Sequence, residues 1–228
     1  MHIGCLLFSG LTQLDLTGPL QALSRIPGVK THIVAKSRRA VPTDCAFSIL
    51  PTVTFERCPP LDVLLVPGGT GVADAINDAA TVAFIRSRAT VTAVLASVCT
   101  GAFLLGAAGL LRGKRATTHW AYRDLLPEVG AIPVPARVVT DNNVVTCAGV
   151  SAGLDAALSL IALLSGAEVA QAIQLSLEYD PAPEFQSGSP EKAEPFLVDR
   201  LRGEYRPRLR VLKAALAAHS VCDAAQAP

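Results

Sequence analysis

Cys99 owes its chemical interest to its neighbours. The run AVLASV (93–98) has the length and apolar composition of a buried parallel strand. Cys99-Thr100-Gly101 interrupts it, after which Phe103, Leu104, Ala107, Ala108 and Leu111 recur on one helical face. A strand that ends in Cys and turns sharply into a helix has the layout of a nucleophile elbow, which lifts one side chain above the sheet with a helix N-terminus beneath it. Free N–H groups and the positive end of the helix dipole favour a thiolate there. Two plainer readings stand beside this one. Cys99 could be a small packed hydrophobe, as most free cysteines are. The uncharged stretch Ala89–Leu111 is also long enough to raise a membrane span, but Gly, Ser, Thr and Cys in its middle and the α/β-like flanks speak against that.

The surrounding pattern alternates strands with helices. Strands are predicted over 3–8, 31–36, 61–66, 93–98 and 115–119, and helices over 14–26, 73–89, 121–129, 152–164 and 167–178. Residues 38–51 read as a hairpin or irregular excursion, and Asp141-Asn142-Asn143 marks a hairpin within 136–147. A proline-rich linker (181–195) leads to a basic helix over about 196–218 and a disordered tail. This pattern predicts an α/β fold, a doubly wound, mostly parallel sheet with helices on both faces. Ligands of such sheets bind beyond the C-terminal ends of strands, near the point where strand order reverses. Asp15, the Gly68-Gly69 turn and Cys99 all follow strands in this reading. A domain over 1–190 and a helical extension over 191–228 are expected.

Composition agrees with a covered sheet. Half of the 228 residues are hydrophobic and 17% are charged. A net charge of +1 advertises neither nucleic acid nor an anionic membrane as partner. Six scattered cysteines without a CxxC pair suggest neither a disulfide framework nor a zinc site. No basic segment precedes a long apolar run near Met1, so no signal peptide is expected, and a reducing cytoplasm is the simplest home.

Four segments carry a resemblance: LDLTGPLQAL (14–23), LDVLLVPGGTG (61–71), SVCTGAFLLGAAGLLRGKRATTHWAY (97–122) and LEYDPAPEFQSGSP (177–190). Together they resemble the ThiJ/PfpI-like superfamily, related in fold to class I glutamine amidotransferases, over almost the whole chain to about Pro190. LDLTGP and the last segment are most similar to the isocyanide-hydrating members, cofactor-free homodimers that make N-substituted formamides. The third segment also resembles the ligand-binding half of AraC-type regulators. By matching position the resemblance implies Cys99 as nucleophile, Asp15 as general acid/base, Thr100 as a supporting residue and the Gly69 N–H as a donor to an oxyanion-type pocket. It departs from the proteolytic members, which carry His directly after the nucleophile where this chain has Thr100. Chaperone- and glyoxalase-like relatives carry Glu where this chain has Asp15.

An isocyanide needs attack at its terminal carbon, a proton at that carbon, and then water. The implied sequence is attack by Cys99, protonation by Asp15 to a thioimidate, water addition with Asp15 as base, and collapse. The consistent resting state is a Cys99 thiolate beside a protonated Asp15. Trp120, Ile132 and Val150 are lining candidates for an apolar substrate, or plain core. Asp15 could instead cap the first helix, and Thr100 could simply start the next. His119-Trp120 reads as structural, Cys147 as inert, and Asp155 is undecided. Arg200–Arg210 reads as a solvated face. A ligand-sensing module and a redox-responsive Cys99 are the competing functions. Only 50 residues follow Glu178, fewer than a roughly 100-residue DNA-binding domain needs.

Overall fold

A computed structural model describes residues 1–225. Its centre is a seven-stranded sheet built from β1 (His2–Leu6), β2 (Lys30–Ala35), β5 (Val53–Thr54), β6 (Val63–Val66), β7 (Val94–Val98), β10 (Val138–Asp141) and β11 (Val144–Cys147). Across the sheet the order is β10-β11-β7-β6-β1-β2-β5. Every pairing is parallel except β10 with β11. The five long parallel strands thus follow the flavodoxin-like order 2-1-3-4-5, which reverses between β1 and β6. VLLV of β6 and VLASV of β7 are buried at every position, because helices cover both faces.

The helices are α1 (Gln13–Leu23), α2 (Val72–Asn77), α3 (Ala79–Ala89), α4 (Gly101–Ala107), α5 (Ala152–Ser165), α6 (Ala167–Ser176) and α7 (Pro195–Ala225). Short strands β3 (Val41–Pro42) and β4 (Ser48–Ile49) form the hairpin expected over 38–51. The single helix expected over 73–89 is two, because Asp78 adopts an extended conformation between them, and its Oδ2 accepts a bond from Thr81 Oγ1 at 2.8 Å. The strand expected over 115–119 shrinks to β8 (Arg115–Ala116), which pairs with β9 (Ile132–Pro133) outside the main sheet. The helix expected over 121–129 is a 3₁₀ helix, Trp120–Val129. Ile132 is half-exposed on β9 and is therefore not a lining residue.

The uncharged Ala89–Leu111 stretch divides into β7, the elbow and α4. Among the described residues no helix is long and apolar enough to cross a membrane. The C-terminal helix runs to Ala225, past the expected end; the last three positions of the expected tail lie outside the described residues. α7 packs against α2, α4 and the 3₁₀ helix, so its arginine-rich stretch lies over the end of the sheet where the strands deliver Asp15 and Cys99.

Candidate active site

The elbow forms as the sequence predicts. Cys99 follows β7 with φ +57°, and α4 starts two residues later. Two glycines make the approach possible. A side chain on Gly101 would fall on the carbonyl oxygens of Val66 and Pro67, and one on Gly68 would lie 2.6 Å from the Thr100 nitrogen and 2.9 Å from Asp15 Oδ2. The turn after β6 thus presses directly on the turn after β7. The Cys99 N–H is held by the carbonyls of Cys147 (3.1 Å) and Ala148 (3.0 Å), and its carbonyl accepts a 2.6 Å bond from the buried Thr118 hydroxyl. Both backbone groups of the nucleophile are therefore fixed, and only its side chain faces the site.

Asp15 sits in the first turn of α1, and its side chain does not cap that helix. It is fully buried, its Oδ2 accepts the Gly68 N–H at 3.0 Å, and Oδ1 has no conventional hydrogen-bond partner. The carboxyl interacts instead with Cys99. Burial pushes Asp15 up to about 7, against the pull of the Gly68 N–H and the Cys99 side chain. Burial also pushes the Cys99 thiol up, and the neighbouring Asp15 charge adds to that. The N–H groups of Thr100 and Val150 and the Thr100 hydroxyl oppose both. Burial thus favours the neutral form of each group, and their closeness makes the two titrate as one coupled pair.

Thr100 anchors the loop rather than capping α4. Its hydroxyl oxygen accepts the Gly69 N–H at 3.0 Å and lies 3.4 Å from the Gly69 carbonyl. The Gly69 N–H is thus taken, so it is not the pocket donor the sequence suggested; Gly69 serves as cavity wall. Val150 contributes its backbone. It has φ +32°, strained for a β-branched residue, and aims its N–H at the Cys99 sulfur.

Two cavities open beside the Cys99 turn, one against Gly149-Val150 and one against Thr100. One of about 380 Å³ is lined by His119, Trp120, Arg123, Arg137 and the Gly149-Val150 backbone, among others. The other, about 240 Å³ and mostly apolar, is lined by Gly69, Thr100, Tyr122 and, from α7, Pro207, Arg208 and Leu212. Trp120 therefore faces the larger space, apart from Thr100 and Gly69. His119 Nδ1 accepts the Ala121 N–H at 3.3 Å, which leaves the ring proton on Nε2, and burial lowers the imidazole to about 4. His119 is thus a neutral wall residue. Its ring packs against Tyr122 and Tyr205, with centroids 5.8 and 5.2 Å away, and Arg208 lies over the Tyr205 ring at 5.8 Å.

Asp155 pairs with Arg137, which lines the larger cavity, and accepts a 2.8 Å bond from the Tyr179 hydroxyl. Tyr122 and Tyr205 went unassigned from sequence, and Arg208 was read only as part of a solvated face. Tyr122 closes the quoted HWAY segment, a usable local signal, whereas only the folded path of α7 brings the other two here. Among the described residues no three His, Cys, Asp or Glu side chains gather as metal ligands would. The described cysteines 5, 45, 58, 99 and 147 are all free thiols.

The chain and its flavodoxin-like sheet have counterparts among known proteins. The DJ-1/PfpI family profile matches residues 1–163, and the chain belongs to that family. It is 52% identical over 211 residues to the isonitrile hydratase of Pseudomonas putida, covering 92% of each chain. The crystal structure of a ThiJ/PfpI family protein from Pseudomonas syringae superposes with a TM-score of 0.92 at 42% identity, covering 94% of this chain and 90% of that one. The HTH-type transcriptional regulator GbdR of Pseudomonas aeruginosa is 29% identical over 78% of this chain, which spans half of the regulator.

Proposed function

We propose that this protein hydrates isocyanides to N-substituted formamides, without a cofactor, through covalent catalysis by Cys99 and Asp15. The observation that carries the reading is the sealed Asp15–Cys99 pair, a thiol beside a carboxyl that titrates near neutrality. The 52% identity to an isonitrile hydratase over 92% of the chain supports it.

The geometry suits each step. As the isocyanide carbon approaches, the thiol proton passes to the Asp15 carboxylate and sulfur bonds to carbon. The N–H groups of Thr100 and Val150 stabilise charge on sulfur as the proton leaves. Asp15 then protonates that carbon, giving a Cys99 thioimidate, and is a carboxylate again. It next takes a proton from the water that adds to the same carbon. One carboxyl serves as base, acid and base in turn, which a group near pH 7 can do in each direction. The neutral His119 has no part in this relay, which argues against Cys-His hydrolysis.

The remaining elements fit the same reading. Residues 1–190 form the catalytic domain, and the helix in 191–228 closes over it. A groove beside α1 lined by Leu14, Gly18, Leu154 and Leu177, with Leu163 of α5 and Leu175 of α6 also exposed, supports a homodimer. The free thiols suit a reducing cytoplasm.

The test is incubation of purified protein with phenyl isocyanide and measurement of N-phenylformamide. Formation by wild type, with a Cys99 adduct trapped early, is the expected result. An inactive wild type, or activity that survives Cys99→Ala, overturns the reading.

A further inference from the structure

Water addition to the thioimidate has a second requirement, a proton for the nitrogen. Asp15 serves the carbon and the incoming water, while the N–H groups of Thr100 and Val150 are directed at sulfur, that of Gly68 at Asp15, that of Gly69 at Thr100 and that of Cys99 at the carbonyls of Cys147 and Ala148. The nitrogen of a Cys99-bound substrate lies one bond beyond the reacting carbon, and its substituent needs an apolar space. The smaller cavity supplies that space and adjoins Thr100. Tyr122 lines it, and among the described residues the Tyr122 hydroxyl makes no hydrogen bond. Its ring is buried and held edge-on to Tyr205, centroids 5.7 Å apart, and to His119. A rigid phenol with an unspent proton thus stands in the wall of the cavity that adjoins Thr100, the residue after Cys99.

We propose that the cavity between the Gly69–Thr100 turn and α7 receives the isocyanide's N-substituent, and that the Tyr122 hydroxyl is the acid that protonates the substrate nitrogen. The assignment rests on the hydratase reading and adds a third catalytic group to it. Water oxygen bonds to the thioimidate carbon, its proton goes to Asp15, and the C=N π electrons take the Tyr122 proton. The product of this step is a tetrahedral carbon bearing S, OH and NH. On collapse the hydroxyl proton returns to the tyrosinate, C=O forms, the C–S bond breaks, and sulfur recovers the proton held by Asp15. The nitrogen and oxygen sit on one carbon, so a single hydroxyl reaches both. All groups return to their starting protonation and one water is consumed. Burial holds the phenol up to about 12, so it stays protonated at neutral pH yet can protonate a strongly basic nitrogen.

Removing the hydroxyl should separate capture from release. With phenyl isocyanide, Tyr122→Phe is expected to form the Cys99 adduct within threefold of the wild-type rate. Formamide release is expected to fall about 100-fold or more, a typical general-acid loss. Intact-protein mass spectrometry should then show the variant accumulating as a species heavier by the whole isocyanide. Wild-type-like release in Tyr122→Phe, or equal losses in capture and release, overturns the role while leaving the hydratase reading intact. A wild type that makes no formamide overturns both. 3-Fluorotyrosine at position 122, the same shape with a more acidic hydroxyl, should alter release and spare capture. Unchanged release in that protein also counts against the proposal.

Discussion

Adjacent strands β7 and β11 each bring a cysteine to the same end of the sheet: Cys147 as the last residue of β11, in register with Val98, and Cys99 one residue beyond. Both are buried, and burial pushes both thiols up. Their difference comes from backbone. Cys147 remains in the ladder with its side chain among core residues. Cys99 leaves the ladder with φ +57°, and that rotation turns its sulfur toward Asp15 and the N–H groups of Thr100 and Val150. The carbonyl of Cys147 accepts the Cys99 N–H, so one cysteine helps hold the backbone of the other. The proposed reactivity of Cys99 would then be a property of the turn, since residue type and depth are shared.

Substitution should expose that contrast most sharply. Cys99→Ala is expected to lower formamide turnover by about 10⁴-fold or more, to the uncatalysed background. Cys147→Ala should keep kcat within about threefold and cost about 1 kcal/mol of stability, as a small buried truncation does. If Cys147→Ala silenced a folded enzyme, the contrast would collapse.

Asp15→Asn comes next, with an expected loss of about 10²–10⁴-fold in kcat and a stability effect of opposite sign. The folded carboxyl binds its proton up to about 7, against 3.8 when free. Stability from that bound proton is fully present below pH 3.8 and is lost as pH rises through 7. The variant should therefore gain on wild type by about 2 kcal/mol between pH 5 and pH 8 in urea titrations. A gap that stayed constant with pH would contradict a raised Asp15.

The pH dependence of wild type follows from the same pair. kcat/KM should fall as pH drops through about 7, where Asp15 gains the proton that prevents it from accepting one from the thiol. Alkylation of Cys99 by iodoacetamide should slow over the same range, while Cys147 stays unmodified in the native protein. A flat profile between pH 5.5 and 8 would show that Asp15 does not activate the thiol. The smallest effect is expected at Thr100→Val, about tenfold in kcat. It removes the acceptor for the Gly69 N–H and a contact to sulfur but leaves Asp15 in place. Comparing its kcat with that of Thr100→Ser, which restores the hydroxyl, checks the assignment.

Much of this site was legible in the sequence because its residues sit where local patterns change. AVLASV followed by Cys-Thr-Gly predicted a strand, a turn and a helix, and that is how Cys99 is presented. Asp15 and the Gly68-Gly69 turn were placed at strand ends by the alternation of elements, and the folded strand order brings them to one point. What stayed hidden depended on contacts between distant segments. The positive φ of Val150 has no sequence signal, since a β-branched residue is a poor candidate for that conformation. The fate of the Gly69 N–H depended on the Thr100 rotamer, 31 residues away. Arg208 read as one of a row of solvated arginines and is exposed; its place over Tyr205, three residues back on the same helix, is local, and only the path of α7 brings it to the wall of the smaller cavity. Charge pattern along one helix cannot report which neighbour that helix meets.

The family profile ends at residue 163, and α7 begins at Pro195. On the proposed mechanism the groups that break and form bonds lie within the span of that profile, and part of the wall of the smaller cavity lies beyond it. Changes at Leu212, Val211 or Arg208 can reshape that wall while Asp15, Cys99 and the turns that hold them keep their sequence. The chain is built so that reaction and substrate range can evolve, or be engineered, at separate addresses.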